Sequence, residues 1–442
     1  MGLRFGTDGV RGVALTELTT DFVELLGRAA VSVLGGHRWL VARDTRESGV
    51  ALEQAVARGI VAGGAEPLLV GVLPTPAVAW LSSVLDVPAA MITASHNPWH
   101  DNGVKVFAAG GLKLTDEVEA SIEAALHTVD DVAVPLGTVV DAAMATLDGA
   151  ADYVRHMVDT NEPLDGLHVV LDCANGAMSA VAPLVFETLG ARVDALHASP
   201  DGRNINHECG ATHTASLQQA VVARGADLGL AFDGDGDRVL AVAHPGVVVD
   251  GDRLIAMAAL HLRESGALRH DTVVVTVMSN LGFHRAMAAA GIDVVTTAVG
   301  DRYVLEELDR GGFSVGGEQS GHIIYRDLAT TGDGLLAALQ LCAYVRHHRA
   351  EDRTLSDLSA GVMTSYPQVL VNVRVSDRHP DAAAELADDI ADAEQVLAGE
   401  GRVLVRASGT EPLVRVMVEA ASDDVAHAVA GRLADVVRAR WG

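Results

Sequence analysis

Three aspartates alternate with two glycines in the segment Asp233-Gly-Asp-Gly-Asp237, which Arg238 follows. The runs 226–232 and 239–243 on either side are strand-like, so the segment is expected to join two strands. Carboxylates at alternate positions point to one side of an extended segment, and glycines let such a segment curl around an ion. Oxygen ligands without His or Cys favour Mg²⁺ over Zn²⁺. The segment therefore predicts a magnesium site, with a solvated acidic turn as the alternative.

A serine-containing loop is the second candidate. The segment Thr93-Ala-Ser-His-Asn-Pro98 follows the apolar run 87–92. A serine in a loop at the end of a buried strand is suited to be a nucleophile or a phosphate carrier. Lys105 lies on a strand-like piece soon afterwards and would serve as acid or base if desolvated near positive charge. An ordinary turn and a surface lysine are the alternatives.

Two glycine-containing loops complete the candidate set. In 316–322, Glu318, Ser320 and His322 present an acceptor, a hydroxyl and an imidazole, which suits a polyhydroxylated substrate. In 406–415, hydroxyls and backbone N–H groups lie between two arginines, which is one way to build a phosphate cradle. The groups of this second loop are Arg406, Ser408, Gly409, Thr410 and Arg415. A plain loop is the alternative for each.

The composition limits the kinds of partner. Of 442 residues, 49% are hydrophobic, which indicates a globular protein with several buried cores. The formal net charge of −27 repels nucleic-acid phosphates and anionic lipid, so nucleic-acid and membrane-surface functions are set aside. A small anionic substrate stays compatible with it. Three dispersed cysteines without a C-x-x-C motif, and no signal peptide at the N-terminus, predict a cytoplasmic protein.

The elements that position these loops follow a repeated pattern. Strand–helix–strand units are predicted within 39–71, 168–193 and 272–295, and they indicate three similar α/β domains with mixed, mainly parallel sheets. The tail alternates like exposed-face strands at 368–375, 402–406 and 413–419, with helices at 380–397 and 423–440, and predicts an α+β domain. The expected domains are 1–153 with the serine loop, 154–252 with the acidic loop, 253–366 with the sugar loop and 367–442 with the phosphate loop.

Taken in order with Phe5-Gly-Thr-Asp-Gly-Val-Arg-Gly12, the four loops resemble the α-D-phosphohexomutase family. The resemblance covers the whole chain, one motif per domain, and implies four domains around a central cleft. Trp99-His100 replaces an expected pair of aromatic residues, and Ala407 replaces a commoner proline. Neither departure touches a group with a chemical role.

The resemblance also implies roles. Ser95 would be the phosphoserine, and it would hold Mg²⁺ together with Asp233, Asp235 and Asp237. Arg11 and Lys105 would assist proton and phosphoryl transfer, with Arg238 near the metal loop. Glu318 and Ser320 would grip sugar hydroxyls with His322 beside them. The distal phosphate would be held by the loop residues Arg406, Ser408, Gly409, Thr410 and Arg415.

The activity implied is the isomerisation of a hexose phosphate through a 1,6-bisphosphate. The Phe5–Gly12 and Gly317–His322 segments most resemble bacterial members that act on glucosamine phosphate and feed UDP-N-acetylglucosamine and cell-wall synthesis. Mg²⁺ would be the cofactor, glucosamine or glucose 1,6-bisphosphate the activator, and a small hexosamine phosphate the partner; a homodimer is a possible assembly. The alternatives are a member acting on mannose or glucose phosphates, a Mg²⁺-dependent sugar phosphatase, and a non-catalytic sugar-phosphate sensor.

Overall fold

The computed structural model of the chain describes residues 3–6, 9–128, 145–408 and 412–442. The chain divides into two compact units, one formed by Met1–Met278 with Ile292–Ala360 and the other by Ser279–Gly291 with Gly361–Gly442. Within the described ranges, no helix combines the length and the apolar character needed to cross a membrane. The α/β class with a C-terminal α+β domain, predicted from the sequence, is confirmed.

The first sheet of the first unit contains eight strands. They are β1 (Phe5–Gly6), β2 (Gly9–Val13), β3 (Arg38–Arg43), β4 (Glu66–Val72), β5 (Ala89–Ile92), β6 (Asp101–Ala108), β7 (Leu112–Lys113) and β8 (Ala145–Thr146), in the order β1-β2-β6-β5-β3-β4-β8 with β7 on β6. The helices are α1 (Thr20–Leu34), α2 (Gly49–Ala62), α3 (Thr75–Leu85) and α4 (Asp116–Leu126). Strand β3 pairs in parallel with β4 and β5, whereas β6 is antiparallel to β5.

Two further sheets complete the first unit. The second has the order β10-β9-β11-β12-β13, and the third has the order β15-β14-β16-β17. Their strands are β9 (His168–Asp172), β10 (Arg192–Leu196), β11 (Leu228–Phe232), β12 (Val239–Ala243), β13 (Val247–Val249), β14 (Thr272–Thr276), β15 (Asp293–Thr297), β16 (Val315–Gly317) and β17 (Ile323–Tyr325). The helices along this part of the chain are α5 (Gly149–Thr160), α6 (Met178–Thr188), α7 (Ala215–Arg224), α8 (Gly251–Glu264), α9 (Leu281–Ala289), α10 (Asp301–Gly311), α11 (Gly334–His348) and α12 (Leu355–Val362). Helix α9 belongs to the second unit.

The second unit also contains an antiparallel sheet with the order β18-β20-β19. Its elements are β18 (Gln368–Arg374), α13 (Ala382–Glu385), α14 (Ala387–Leu397), β19 (Arg402–Ala407), β20 (Leu413–Glu419) and α15 (Asp423–Trp441). Alternate residues of β20, such as Val414, Val416 and Val418, are buried against α15. The single helix predicted over 380–397 is two helices, because Leu386 leaves helical geometry with φ −108° and ψ 16°.

The parallel strands decide where the polar loops emerge. Strand β5, Ala-Ala-Met-Ile, is buried along its whole length. Burying one large aliphatic side chain completely stabilises a fold by about 1.5–3 kcal/mol, so this strand is firmly anchored in the core. Asp44 follows β3 and Thr93 follows β5, while Asp233 follows β11. The carboxyl ends of parallel strands lie at one edge of a sheet, where α/β proteins bind their ligands.

Candidate active site

Ser95 and Asp233, which lie 138 positions apart, are in direct contact. Ser95 Oγ donates a hydrogen bond of 2.7 Å to Asp233 Oδ2, and both residues are 1% exposed. Ser95 follows β5 and Asp233 follows β11, so two different sheets of the first unit bring these two loops together. The serine loop and the acidic loop therefore form one site.

Lys105 joins the same cluster from strand β6. Its Nζ donates to Asp235 Oδ2 at 2.8 Å and to Asp237 Oδ2 at 2.9 Å, and the lysine is 3% exposed. Thr75, at the start of α3, donates its hydroxyl to Asp235 Oδ2 at 2.6 Å. Lys105 is thus desolvated rather than on the surface, but Asp235 and Asp237, to which its Nζ donates, are carboxylates and not the positive charge that the sequence interpretation required.

The acidic cluster fits a divalent cation. One ligand oxygen from each of Asp233, Asp235 and Asp237 lies within 4.8 Å of the others, and all three residues are at most 3% exposed. Burial, together with the negative charges of Asp237 and Asp235, raises the pKa of Asp233 well above its ordinary value. Asp235 Oδ1 is buried and has no hydrogen-bond partner in the described part of the chain. A hard cation would coordinate this oxygen and would also offset the repulsion among the three carboxylates.

Both glycines of the acidic loop are required by its geometry. A Cβ on Gly234 would lie 2.6 Å from the Ser95 carbonyl oxygen and 2.7 Å from Asn206 Nδ2, so only glycine lets the two loops approach this closely. Gly236 has φ +75°, which residues with a side chain rarely adopt. The sequence interpretation that glycines curl this segment is consistent with both positions.

Two arginines lie near the serine loop. Burial and the positive charges of Arg238 and Arg11 lower the pKa of His96 to about 4, so its ring is neutral near pH 7. His96 Nδ1 lies 3.3 Å from Ser95 Oγ. Burial alone would lower the pKa of Arg238, but nearby carboxylates, Asp237 first among them, raise it. The guanidinium therefore stays charged next to the acidic loop.

The loop predicted to bind sugar contacts the acidic loop through its backbone. His322 forms an antiparallel bridge with Arg238, and Val239 N–H donates to the Gly321 carbonyl at 3.0 Å. His322 is 2% exposed, with Nε2 3.2 Å from Asp301 Oδ2. Glu318 is half-buried and accepts a 3.0 Å hydrogen bond from Gly300 N–H, whereas Ser320 is exposed.

The predicted phosphate loop lies in the second unit. Arg406 and Arg415 are directly opposite each other on β19 and β20. Burial and the charge of Arg415 lower the pKa of Arg406, and Arg415 Nε is buried without a hydrogen-bond partner in the described ranges. Ser408 is 5% exposed at the end of β19, while Gly409 and Thr410 lie outside the described residues. Two like charges held together favour an anion between or beside them.

Sequence reasoning did not assign the residues that hold the serine loop. These residues are Asp44, Arg46, Thr93 and Asn206. In the structure Arg46 Nη2 donates to the Ser95 carbonyl at 2.8 Å, and Asn206 Nδ2 donates to the same oxygen at 2.8 Å. The usable signal was the position of Asp44-Thr-Arg46 after β3, at the same sheet edge as Ser95. The chemical roles of the predicted site residues stay predictions.

Models of the phosphoglucomutase/phosphomannomutase family match the chain in domain order. The alpha/beta/alpha domains I, II and III match residues 2–133, 151–246 and 250–366, and the C-terminal domain matches 370–436. A phosphoglucosamine mutase of Rhodococcus erythropolis (strain PR4 / NBRC 100887) is 51% identical over 446 residues, covering 99% of each chain. One of Bacillus cereus (strain AH187) is 48% identical over 450 residues, covering 100% of each.

Solved structures of related proteins share the fold. A phosphoglucomutase/phosphomannomutase family protein from Burkholderia thailandensis superposes with a TM-score of 0.81 at 25% sequence identity, covering 98% of this chain and 97% of its own. Four family models match in the expected order, and relatives near 50% identity match over their full length. Both findings indicate the same protein family. The chain belongs to the α-D-phosphohexomutase (phosphoglucomutase/phosphomannomutase) family of isomerases.

Proposed function

We propose that the protein interconverts glucosamine 6-phosphate and glucosamine 1-phosphate, through a phosphoserine at position 95 and a 1,6-bisphosphate intermediate. Family membership supports the phosphohexomutase reaction. Relatives that are 51% and 48% identical along their whole length carry the name phosphoglucosamine mutase, which supports the amino sugar. The product would feed UDP-N-acetylglucosamine and cell-wall synthesis.

The contact between Ser95 and Asp233 is the observation that carries this proposal. A buried hydroxyl 2.7 Å from one carboxylate of a three-carboxylate cluster is the arrangement that a phosphate-carrying serine at a metal site requires. A serine with a purely structural role would need one hydrogen-bond acceptor, and it would not require an unpaired carboxylate oxygen nearby. Here the cluster does contain an unpaired carboxylate oxygen, Asp235 Oδ1, in the described part of the chain.

Ser95 Oγ and the carboxylates of Asp233, Asp235 and Asp237 would hold Mg²⁺. When bound, the ion supplies positive charge that neutralises the phosphoryl group in transfer. The protein adds its own cations around the same point, since Lys105 is bonded to two of the carboxylates and Arg238 lies beside the loop. Positioning and electrostatics of this kind account for most of the catalysis of phosphoryl transfer.

The reaction balances without loss of phosphate. The Oγ–P bond of phosphoserine 95 would break as the 1-oxygen of glucosamine 6-phosphate forms its new O–P bond and releases its proton, and Ser95 Oγ would take up a proton. The 1,6-bisphosphate would then reorient in the site, so that its 6-phosphate lies beside Ser95. Its O6–P bond would break as Ser95 Oγ forms a new O–P bond and releases its proton, and the 6-oxygen would take up a proton, which regenerates the phosphoserine and leaves glucosamine 1-phosphate. Glucosamine or glucose 1,6-bisphosphate would place the first phosphoryl group on Ser95.

Other side chains take the remaining roles in this proposal. Lys105 and Arg11 would hold and move the proton at the reacting hydroxyl, and neutral His96 lies next to Ser95 Oγ. Glu318, Ser320 and His322 would orient the sugar. Arg406, Ser408 and Arg415 of the second unit would bind the phosphate that is not reacting, because two close guanidinium groups match a phosphate dianion. Gly409 and Thr410 are included on the resemblance alone.

The biological setting completes the proposal. We place the protein in the cytoplasm, divide it into domains 1–153, 154–252, 253–366 and 367–442, and retain a homodimer as its assembly. Limited proteolysis followed by mass measurement tests the domain division. Light scattering coupled to gel filtration measures the assembly.

One experiment tests the reaction and the sugar together. The intact mass is measured before and after incubation with glucose 1,6-bisphosphate, and kcat/KM is then compared for the 6-phosphates of glucosamine, glucose and mannose. We expect the mass of one phosphoryl group to be gained on Ser95 and the highest kcat/KM with glucosamine. Preference for glucose or mannose contradicts the sugar assignment, release of inorganic phosphate indicates a phosphatase, and an unlabelled Ser95 refutes the mechanism.

A further inference from the structure

The backbone at Ser95 is held in an uncommon conformation. Ser95 has φ 51°, in the left-handed region that non-glycine residues seldom occupy. Such a conformation costs about 1–3 kcal/mol and persists only where the surrounding structure imposes it. The surrounding contacts must therefore hold both the backbone N–H and the carbonyl of this residue.

Arg46 donates several of the hydrogen bonds that restrain the backbone of this loop. A guanidinium carries five N–H donors, and here each has an acceptor. Nε donates to Asp44 Oδ2 at 2.8 Å. Nη2 donates to the carbonyls of Ser95 at 2.8 Å and Asn97 at 2.9 Å, and Nη1 donates to that of Asp101 at 3.0 Å and to that of Pro98. One side chain thus binds three carbonyls of the serine loop and the carbonyl of Asp101 at the start of β6.

Asp44 extends this hold to the backbone N–H of Ser95. Asp44 Oδ2 accepts a 2.8 Å hydrogen bond from the Thr93 hydroxyl, and Thr93 Oγ1 in turn accepts the Ser95 N–H at 2.9 Å. The side chains of Asp44 and Arg46 are both 0% exposed, so the pair is electrically compensated inside the protein. Both backbone groups of Ser95 are therefore bound to one network that begins at residues 44–46.

We propose that Arg46 is a positioning residue for phosphoryl transfer, which holds the Ser95 loop so that Oγ faces Asp233. The inference rests on the proposed function, because it assigns a purpose to the geometry of Ser95 Oγ. All five donors of Arg46 are directed to Asp44, to loop carbonyls and to the carbonyl of Asp101, so Arg46 acts through the loop and not on the substrate. Misplacement of a reacting atom by about 1 Å costs on the order of 10²-fold in rate.

The test uses two variants and one matched control. Arg46→Lys keeps the charge but has three donors for five acceptors, and Thr93→Val keeps the shape but leaves the Ser95 N–H without its acceptor. Arg58→Lys is the control, since Arg58 on α2 makes a comparable 2.8 Å ion pair with Glu24 away from the serine loop. For each protein we measure kcat, KM, the rate of Ser95 phosphorylation by glucose 1,6-bisphosphate, and amide hydrogen exchange over 93–101.

We expect kcat and the phosphorylation rate to fall about 10²-fold in Arg46→Lys, and less in Thr93→Val, with KM within about threefold of the wild-type value. Exchange over 93–101 should rise in both, while Arg58→Lys matches the wild type. A kcat within about threefold of wild type in both variants, or unchanged exchange, overturns the inference. So does an equal loss in the control. If the wild type itself shows neither labelling nor mutase activity, the proposed function fails instead, and the exchange data still decide whether Arg46 holds the loop.

Discussion

Lys105 and Asp235 form a buried ion pair, with Nζ 2.8 Å from Oδ2, and the same Nζ lies 2.9 Å from Asp237 Oδ2. One ammonium group thus offsets part of the charge of a cluster of three carboxylates. It is also a positive charge beside the oxygens that would hold a divalent cation. Lys105 therefore stabilises the metal-free cluster and weakens the attraction of that cluster for a second cation.

This pair leads to an unusual expectation for Lys105→Met. Removing the lysine leaves buried carboxylates without their cation, which costs about 3–5 kcal/mol of unfolding free energy in the absence of metal. The same loss makes the cluster more negative, so Mg²⁺ should bind several-fold more tightly while turnover falls to background. Calorimetric titration with MgCl₂ and the melting temperature with and without MgCl₂ measure both effects.

Arg58→Met is the control for this charge change, because it removes one positive charge from an ion pair with Glu24 and not with the acidic loop. Its Mg²⁺ affinity should equal that of the wild type. Weaker Mg²⁺ binding in Lys105→Met would show that the lysine does not compete with the metal.

Ser95→Ala should abolish turnover and leave the fold intact. The variant loses the atom that carries the phosphoryl group and the 2.7 Å hydrogen bond to Asp233, a loss worth about 1–3 kcal/mol because the acceptor is a carboxylate. Ser83, an exposed serine on α3, provides the matched Ser83→Ala control, which should keep full activity. The coupled mutase assay and intact mass after bisphosphate treatment give the answer, and near-normal mutase activity in Ser95→Ala counts decisively against the mechanism.

Arg415→Ala should act mainly on substrate binding. The two guanidinium groups at 406 and 415 face each other across paired strands, and removal of one leaves half of the proposed phosphate site. We expect KM to rise by about tenfold or more with kcat changed only a few-fold, since a bidentate guanidinium–phosphate contact is a strong charge-assisted hydrogen bond. Arg374→Ala removes an exposed arginine from the neighbouring strand β18 and should change neither value. An unchanged KM in Arg415→Ala removes the phosphate-binding role.

The sequence predicts the strand ends of the site well, and the physical reason is local. Strands β5 and β11 are short apolar runs followed directly by polar loops, of which the one after β11 contains glycines, so Ser95 and Asp233 can be placed at strand ends without any tertiary information. That these two loops meet could be inferred only from the family resemblance. They lie 138 positions apart, and no local pattern specifies which loops of different sheets approach each other.

The supporting contacts were not predictable in the same way. Arg46 and Asn206 bind backbone carbonyls of the serine loop, and every residue presents a carbonyl, so no side-chain pattern marks their targets. Thr75 reaches Asp235 across 160 positions. The break at Leu386 is equally invisible, because the acidic stretch around it has the composition of one continuous helix.

Asp333 gives the fold a pH dependence that can be separated from catalysis. This carboxyl caps α11, where Oδ1 accepts the Leu336 N–H at 2.9 Å and Oδ2 accepts the Tyr153 hydroxyl at 2.6 Å. Burial raises its pKa from 3.8 to about 6, although both hydrogen bonds act to lower it. The folded state therefore binds this proton more tightly than the unfolded state, and the contribution to stability is lost as pH rises from about 4 to 6.

Asp333→Asn should remove this penalty. Asparagine keeps one oxygen for the Leu336 N–H, and its amide can donate to the Tyr153 oxygen, so the cap persists without a buried charge. A difference of about 2 pKa units corresponds to at most about 3 kcal/mol at pH 8, and to about half of that at pH 5. The melting temperature of the variant should therefore exceed that of the wild type at pH 8 by more than it does at pH 5. Asp148→Asn, at the exposed cap of α5, should show no such trend, and an Asp333→Asn variant less stable at pH 8 would mean that the charged carboxylate supports the fold.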